Sequence, residues 1–389
     1  MEAPSLFPPV EARVDGHRLR LVTDAPARLA MMIETIRAAR ESLRLFYYIF
    51  ADDAAGQQIT AELIAARHRG VTVHVLVDGF GSEGMSEARI AALEAKGISF
   101  DRFIPRWGRR YLLRNHQKML IADGAVALVG GSNIAQAYFE DAPAGQGWHD
   151  LMLRVEGPAA GRLAAYFDGL AAWIAGDKPR IKGLVSLLAR HSERTGALRW
   201  EMGGPFRRLS PLTRSLKRAV DAAARVDMMQ AYFAPNWGFL RKLGRAAQRG
   251  RFRLITAARS DNVTTIAAAR HCYRRLLRYG SLIYEYQPQK LHAKLVVADG
   301  TSWIGSANFD MRSLYLNAEI MLRVEDQGFA DAMRDLMDRH IAQSRAITRA
   351  GHKADSPIWT RLIRLASYFI VSTVDFRLSR GINMRGRGE

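Results

Sequence analysis

Two short stretches decide the fold, HQKMLIAD at residues 116–123 and HAKLVVAD at residues 292–299. Each contains a histidine, one spacer, a lysine, four mostly apolar residues and an aspartate, and each continues into a turn that ends in asparagine, GGSN at 130–133 and GSAN at 305–308. The apolar residues predict a short buried strand. Because strand side chains repeat every second residue, the histidine and the lysine share one face. The recurrence of the whole string indicates a duplicated unit.

The elements around the two stretches repeat in the same order. Strands are predicted at 43–50 and 69–79 in the first half and at 227–236 and 249–257 in the second, with a helical stretch inside each pair. In both halves a further helix leads into the strand that carries the histidine. Alternating strands and helices are typical of an open α/β sheet. The sequence therefore predicts an α/β protein with two similar lobes.

The predicted domains follow from this duplication, with an N-terminal lobe at 1–176 and a C-terminal lobe at 209–350. Residues 177–208 concentrate positive charge and glycine without periodicity, which favours either a long loop at the substrate entrance or a solvated connector. Residues 351–389 are predicted to be a basic amphipathic tail. Its apolar part, within 356–380, is too short to span a membrane and suits a helix in a membrane interface. The alternative is an ordinary helix packed on the lobes.

Composition narrows the class of partner. The chain has 389 residues, a formal net charge of +19 and a calculated pI near 10.5, which favour an anionic partner, either nucleic acid or an anionic membrane surface. No uncharged apolar run reaches the roughly 18 residues of a spanning helix, and no signal peptide is expected. Cys272 is the single cysteine, so no internal disulfide forms. No metal cluster is expected from one cysteine and scattered acidic residues.

The two histidine–lysine pairs suit the cleavage of a phosphodiester. That bond resists attack because its oxygens are negative and its leaving alkoxide is strongly basic. Without a metal, a site needs cations around the oxygens, a nucleophile and an acid. One neutral imidazole would attack the phosphorus, and the other, protonated, would donate a proton to the departing alcohol. The side chains expected to hold the phosphoryl oxygens are Lys118, Lys294, Asn133, Asn308, Ser132 and Ser306.

These motifs resemble the phospholipase D superfamily, whose repeated pattern is His, any residue, Lys, four residues, Asp and then a Gly/Ser-rich turn with Asn. The resemblance covers most of residues 20–345 and implies duplicated α/β/α sandwich lobes that form one bilobal unit without a cofactor. The catalytic set that it implies is His116, Lys118, Asp123, His292, Lys294 and Asp299. Within this set, Asp123 and Asp299 stand at strand ends and are better interpreted as structural carboxylates.

The resemblance also implies a carboxylate downstream of each motif that orients an imidazole through its second nitrogen. Asp150 in WHDLML and Glu319 in NAEIML occupy matching places before similar apolar strands. By the same resemblance, His116 is expected to be the nucleophile and His292 the acid.

Within the superfamily the chain is most similar to bacterial cardiolipin synthases. The stretches that carry this likeness are 47–82, 147–160, 231–236 and 305–319. These enzymes transfer a phosphatidyl group from one phosphatidylglycerol to another and release glycerol, so the resemblance implies a phosphatidyltransferase. The alternatives are a hydrolase of phospholipids or nucleic acids, and a basic binding protein on an inactive scaffold.

A lipid substrate is favoured by the stretch RFIPRWGRRYLLRNHQK at 102–118, which interleaves arginines with aromatic and apolar residues as a loop in a headgroup layer does. The same composition also suits base stacking on nucleic acid. We expect phosphatidylglycerol and other anionic phospholipids as partners at a membrane surface, and no nucleic acid. The expected location is peripheral, on the cytoplasmic face of a bacterial inner membrane.

Overall fold

The computed structural model describes residues 6–104, 113–140, 146–176 and 179–374. The elements of the first half are, in chain order, β1 (Val10–Val14), β2 (His17–Val22), α1 (Ala25–Ala38), β3 (Ser42–Tyr47), α2 (Ala54–His68), β4 (Thr72–Asp78), α3 (Glu87–Glu94), β5 (Ser99–Phe103), β6 (Met119–Ala122), β7 (Val126–Gly130), a 3₁₀ turn (Gln136–Tyr138), β8 (Trp148–His149), β9 (Met152–Glu156) and α4 (Pro158–Ala175).

The elements of the second half are α5 (Ile181–Arg190), β10 (Leu198–Gly203), α6 (Pro211–Ala222), β11 (Arg225–Gln230), β12 (Phe233–Ala234), α7 (Trp237–Arg249), β13 (Arg251–Ala257), α8 (Val263–Arg278), β14 (Leu282–Tyr286), β15 (Lys290–Leu291), β16 (Lys294–Ala298), β17 (Thr301–Gly305), β18 (Phe309–Asp310), α9 (Met311–Tyr315), β19 (Glu319–Glu325), α10 (Gln327–Ala342), β20 (Ser344–Ile347), α11 (Arg349–Ala354), α12 (Ile358–Phe369) and a π-helical turn (Ile370–Val374).

The two halves build sheets that share the same topology over six strands and differ at their edges. The first sheet has the order β1-β2-β9-β7-β6-β3-β4-β5 and the second the order β10-β19-β17-β16-β11-β13-β14-β20. In each sheet the first three strands of the repeated unit are parallel, β3, β4 and β5 matching β11, β13 and β14, and the strand after the histidine pairs antiparallel with the first of them. The prediction of an α/β fold with duplicated lobes is confirmed.

Local sequence explains where these elements form. The strands that follow the histidines are buried along their whole length, which suits their nearly continuous apolar sequences, MLIA in β6 and KLVVA in β16. The helix that follows the first parallel strand of each lobe, α2 after β3 and α7 after β11 and β12, begins at a side-chain cap. Asp53 accepts the backbone N–H of Gly56 at the start of α2, and Asn236 accepts that of Phe239 at the start of α7.

One hydrophobic cluster joins the lobes. It contains side chains of both sheets together with α4 and α10, among them Phe167 and Leu170 from α4 and Leu336 and Met337 from α10. Separate clusters lie under α1, α2 and α3 and under α6, α7 and α8. Because the shared cluster is continuous, the two lobes form one unit.

Within 177–208 the structure differs from the expected loop or solvated connector at two elements, α5 and β10. α5 places Leu184 and Leu188 in the shared hydrophobic cluster, and β10 adds Trp200 while pairing antiparallel with β19. The leucines stand at helical spacing, as a buried helix requires. The high charge of the surrounding sequence concealed this signal.

The C-terminal tail, described to residue 374, is a helix with two faces. One face packs on α8, and the Tyr368 hydroxyl donates to the carbonyl of Pro235 at 2.7 Å. The other face is exposed and contains the large side chains Ile358, Trp359, Leu362, Ile363, Leu365, Phe369 and Ile370, here called the α12 apolar face. The interpretation as a helix packed on the lobes thus describes one face, and the interpretation as a membrane-interface helix stays a prediction for the other. The arginine- and tryptophan-rich centre of 102–118, residues 105–112, lies outside the described residues.

Candidate active site

Both histidine motifs begin at the contact between the lobes. The backbone N–H of His116 donates to the carbonyl of Ala318 at 2.8 Å, and that of His292 donates to the carbonyl of His149 at 2.7 Å. β8 and β15 pair in parallel next to the second contact. Each histidine is thus fixed through its backbone to the opposite lobe.

The imidazole of His116 contacts a carboxylate of the second lobe. Its Nδ1 lies 3.2 Å from both oxygens of Glu319, which is completely buried. The hydroxyl of Ser306 donates to the same carboxylate at 2.5 Å. Burial acts to raise the pKa of Glu319, but His116, Lys118 and Ser306 outweigh it, and the pKa is lowered. Glu319 is therefore an anion held against the imidazole.

The imidazole of His292 makes the reciprocal contact. Its Nδ1 lies 2.7 Å from Asp150, which belongs to the first lobe and is also completely buried. The second oxygen of Asp150 accepts the backbone N–H of Leu151 at 2.7 Å. Burial acts to raise the pKa of Asp150, whereas Lys294 and His292 lower it below its ordinary value. Assigning the Nδ1 hydrogens to these carboxylates leaves the lone pair of each imidazole on Nε2.

This pairing is crossed between the lobes. Sequence reasoning identified Asp150 and Glu319 as partners of the histidines but placed each downstream of its own motif, without the exchange. The exchange brings both motifs into one site.

Two buried lysines occupy that site. Lys118 and Lys294 are both 1% exposed, and burial lowers their pKa values to about 7 and about 8. Lys118 Nζ donates to the carbonyl of His116 at 2.5 Å, and Lys294 Nζ donates to the carbonyl of His292 and also lies 2.6 Å from its Nδ1. A Cβ built on Gly131 of the first lobe would lie 2.6 and 2.7 Å from the carboxylate oxygens of Asp150 and 2.9 Å from Lys294 Nζ, so a larger residue there would displace both groups.

The lysines also act on the imidazoles. Burial and the charge of Lys118 lower the pKa of His116, and burial and Lys294 lower that of His292 to about 3. Both imidazoles are therefore neutral near pH 7 in the free protein.

The turn residues differ in how their polar atoms are used. Ser306 is occupied by Glu319, and Asn133 bonds the backbone N–H of Ile49 at 3.2 Å and the hydroxyl of Tyr138 at 3.1 Å. Among the described residues, the Ser132 hydroxyl and the Asn308 Oδ1 are buried without a hydrogen-bond partner. Unsatisfied buried polar atoms are rare. The Ser132 hydroxyl can donate to a bound phosphoryl oxygen, whereas the Asn308 Oδ1 only accepts, so Asn308 would bind such an oxygen through its Nδ2.

Asp123 and Asp299 lie at the far ends of β6 and β16 from the lysines. The Asp123 carboxylate accepts the backbone N–H groups of residues 40, 41 and 42 at 2.8 to 2.9 Å, and that of Asp299 accepts those of residues 224 and 225 at 2.9 to 3.2 Å. Their place in the implied catalytic set is corrected accordingly: they tie two backbone segments together, in agreement with their interpretation as structural carboxylates.

Aromatic rings that sequence reasoning did not assign to the site surround the histidines. Tyr48 lies edge-on to His116 with ring centroids 5.0 Å apart, and Tyr138 and Trp148 each lie 5.2 Å from the ring of His292. Tyr232 lies 6.3 Å from it. Tyr48 and Tyr232 follow the first parallel strand of a lobe, where ligands bind open α/β sheets, so their positions carried a usable signal.

The described residues show neither a metal site nor a helix suited to span a membrane. They contain no cluster of three or more His, Cys, Asp or Glu side chains arranged for a metal ion. None of their helices has the length and apolar character needed to cross a bilayer.

Known proteins resemble the chain in sequence and in fold. The family described as "Cardiolipin synthase, PLD-like domain" matches residues 32–171 and 213–341. Cardiolipin synthase A of Pectobacterium carotovorum is 31% identical over 374 residues, which cover 92% of this chain and 75% of that protein. Cardiolipin synthase A of Salmonella arizonae is 31% identical over 389 residues, covering 94% and 79%.

Two solved structures share the fold at low sequence identity. Phosphatidylserine synthase of Haemophilus influenzae superimposes with a TM-score of 0.73 at 13% identity, covering 96% of this chain and 97% of that one. Polyphosphate kinase of Porphyromonas gingivalis gives a TM-score of 0.58 at 15% identity, covering 96% and 55%.

Proposed function

The chain belongs to the family of cardiolipin synthases with a phospholipase D-like domain, and we propose that it transfers a phosphatidyl group from one phosphatidylglycerol to a second one, releasing glycerol. The observation that carries this proposal is the single site of both lobes, in which two carboxylate-backed imidazoles share two buried lysines. Such a set provides a nucleophile, an acid and cations for a phosphodiester without a metal.

In the first step, Nε2 of His116 attacks the phosphorus. The bond from phosphorus to the glycerol oxygen breaks, His292 donates its proton to that oxygen, and a phosphatidyl group remains on His116. The side chain of His116 is 14% exposed and that of His292 5%, which supports His116 as the group that reaches the substrate first. Its lowered pKa supports the neutral form that a nucleophile needs.

His292 must carry a proton when glycerol leaves, although its pKa is low in the free protein. Burial and the charge of Lys294 lower this pKa. The negative charge of the bound phosphodiester offsets that of Lys294, and Asp150 stabilises the imidazolium. Proton uptake by His292 therefore accompanies substrate binding.

In the second step, a hydroxyl of the second phosphatidylglycerol gives its proton to His292 and attacks the phosphorus. The phosphorus–nitrogen bond breaks, His116 is released, and the product is cardiolipin. Lys118 and Lys294, with Ser132 and Asn308, hold the phosphoryl oxygens in both steps. Because the lysines are buried, their attraction for the developing charge is weakly screened.

We place this reaction at a membrane surface, with the protein peripheral on the cytoplasmic face of a bacterial inner membrane. The α12 apolar face supports this placement, because Trp359 is 73% and Ile363 62% exposed on a helix flanked by basic residues. The π-helical turn that continues α12 packs against α9, which follows the second motif. This contact connects the helix that bears the apolar face to the segment after the second motif, which supports an approach of anionic lipids from that side.

A hydrolase is the second candidate, since water in place of the second lipid gives phosphatidic acid from the same intermediate. Incubation of the purified protein with vesicles of labelled phosphatidylglycerol distinguishes the two. We expect cardiolipin and glycerol in equal amounts, little phosphatidic acid, and no cleavage of DNA or RNA. Predominant phosphatidic acid would assign a hydrolase, and rapid nucleic-acid cleavage would refute the lipid assignment.

A further inference from the structure

We infer that Arg28 is a positioning residue of this reaction, because its guanidinium holds the three first-lobe groups that surround His292. The inference rests on the proposed function only in assigning His292 to proton transfer. It does not depend on which alcohol accepts the phosphatidyl group.

Arg28 lies on α1 and is completely buried. Its Nη1 donates to the carbonyl of Asp150 at 2.7 Å, and its Nη2 donates to the carbonyls of Tyr138 at 2.6 Å and Trp148 at 3.1 Å. It also bonds the carbonyl of Thr23 at the start of its own helix. One side chain thus binds backbone carbonyls that lie 110 to 122 residues further along the chain.

The same three residues contact the imidazole of His292. The Asp150 carboxylate lies 2.7 Å from Nδ1, and the rings of Tyr138 and Trp148 each lie 5.2 Å from the imidazole ring. The backbone carbonyls of all three residues are bound by the Arg28 guanidinium, so a movement of that group displaces these three contacts of the imidazole together.

The chemistry of the guanidinium suits this task. Its N–H groups are fixed in a planar fork, so they set the directions as well as the distances of the carbonyls they bind. Burying a cation is costly unless it is well bonded, which makes the bonds to these carbonyls hard to exchange for others. Its positive charge also favours the ionised form of Asp150, after the larger effects of Lys294 and His292.

A purely structural role of Arg28 would have different consequences. It would stabilise the first lobe, and its loss would lower the melting temperature without altering how Asp150 acts on His292. A double-mutant cycle between Arg28 and Asp150 separates the two roles, because only residues that act through one another give non-additive effects.

The experiment measures kcat and KM for a soluble phosphodiester with Arg28→Met, Asp150→Asn and the double variant. We expect Arg28→Met to lower kcat by about 100-fold, the scale of a misplaced catalytic group, with KM within about 3-fold. In the Asp150→Asn background the same change should lower kcat by less than about 3-fold, since its effect passes through Asp150. Arg28→Lys keeps the charge without the fork and should recover part of the rate.

Arg334→Met is the matched control, because Arg334 is 3% exposed and donates to Asp227 at 2.9 Å and to the carbonyl of Asp299 at 2.5 Å in the second lobe. Arg334→Met should lower the melting temperature. Its fold-change in kcat should be the same with and without Asp150→Asn. The inference would be overturned if Arg28→Met lowered kcat by the same factor with and without Asp150→Asn. It would also be overturned if Arg28→Met left kcat unchanged and lowered only the melting temperature. If Arg28→Met does not fold, Arg28→Lys in the same cycle gives the same decision.

Discussion

The carboxylate of Glu319 lies 3.2 Å from Nδ1 of His116, although 203 residues separate the two along the chain. The reciprocal contact between Asp150 and His292 spans 142 residues. Each lobe therefore supplies the anion that holds the other lobe's imidazole, and the proposed acid and nucleophile each depend on both lobes.

Removal of either carboxylate should inactivate the protein without unfolding it. We expect Asp150→Asn and Glu319→Gln each to lower kcat by at least about 100-fold, since the imidazole loses its orientation and its stabilising charge. In an Asp150→Asn, His292→Ala double variant, activity should equal that of His292→Ala alone. Asp101→Asn is the control, because Asp101 lies 2.9 Å from His74 outside the site and its loss should change kcat by less than about 2-fold. An equal loss in the control would show that the effect is general.

The phosphatidyl group should be trapped on His116. Rapid acid quenching during turnover, followed by peptide mapping, should find the modification at His116, and His116→Ala should abolish it. His116→Ala and His292→Ala should each remove nearly all activity, and the double variant should be little worse than either. Modification at His292 would exchange the two roles while leaving the site intact.

The buried lysines should make activity decline with rising pH. Their folded-state pKa values, about 7 for Lys118 and about 8 for Lys294, are lowered, so their charges are lost as pH rises through this window. Because kcat/KM reports the free enzyme, it should fall from pH 7 to pH 9 on a soluble phosphodiester. Lys118→Arg keeps its charge and should remove the earlier part of the fall, whereas Lys182→Arg at an exposed position should leave the profile unchanged. An identical profile for Lys118→Arg would contradict the assignment.

Buried neutral histidines should make the fold sensitive to acid. His149 and His340 contact through their Nε2 atoms at 2.7 Å, and His340 Nδ1 donates to the carbonyl of Leu336, so in the neutral pair His149 Nε2 donates to His340 Nε2. Burial lowers the pKa of His340 to about 4, whereas the unfolded chain takes up that proton near pH 6.5. The contribution of His340 to the free energy of unfolding is therefore fully present above pH 6.5 and is lost as pH falls toward 4.

The melting temperature measured between pH 8 and pH 4 tests this expectation. It should be level above pH 7 and decline below pH 6.5. His340→Gln should flatten the decline, and the exposed control His68→Gln should not. The same slope in both variants would mean that other groups cause the acid sensitivity.

The α12 apolar face should govern binding to lipid vesicles. Trp359→Ser with Ile363→Ser should weaken binding to anionic vesicles by about 10-fold or more for each buried side chain lost, and lower activity on vesicles accordingly. Because both side chains are largely exposed, the melting temperature and the activity on a soluble phosphodiester should be preserved. Leu282→Ser, at an exposed leucine on β14, is the control. Equal loss on soluble and vesicle substrates would assign a structural role to the face.

Sequence predicted what depends on local periodicity and on the repeated motifs. The order of strands in each lobe, the histidines, the lysines and the orienting carboxylates all follow from short patterns such as WHDLML and NAEIML. α5 was not predicted, because its three buried leucines stand within a charged stretch that is typical of a solvated segment.

The rest of the site depends on contacts over long sequence separations. Arg28 in the stretch DAPARLAMMIE resembles any arginine of an amphipathic helix, and only the fold brings it beneath Asp150. The exchange of carboxylates between the lobes has the same origin, because either pairing is compatible with the two motifs as written.

The aspartate that closes each motif has a consequence for surveys of genomes. Asp123 and Asp299 adopt a left-handed backbone, with φ of 54° and 45°, and their carboxylates bind backbone amides at the end of a strand. The last letter of the pattern therefore records a requirement of folding, while the first two record chemistry. We expect a diverged copy that keeps the aspartate and loses the histidine to fold without activity. We expect a copy with asparagine there, which also tolerates a left-handed backbone, to keep its activity at some loss of stability. Inactive relatives should then be recognised by the loss of His, Lys or the distant carboxylates.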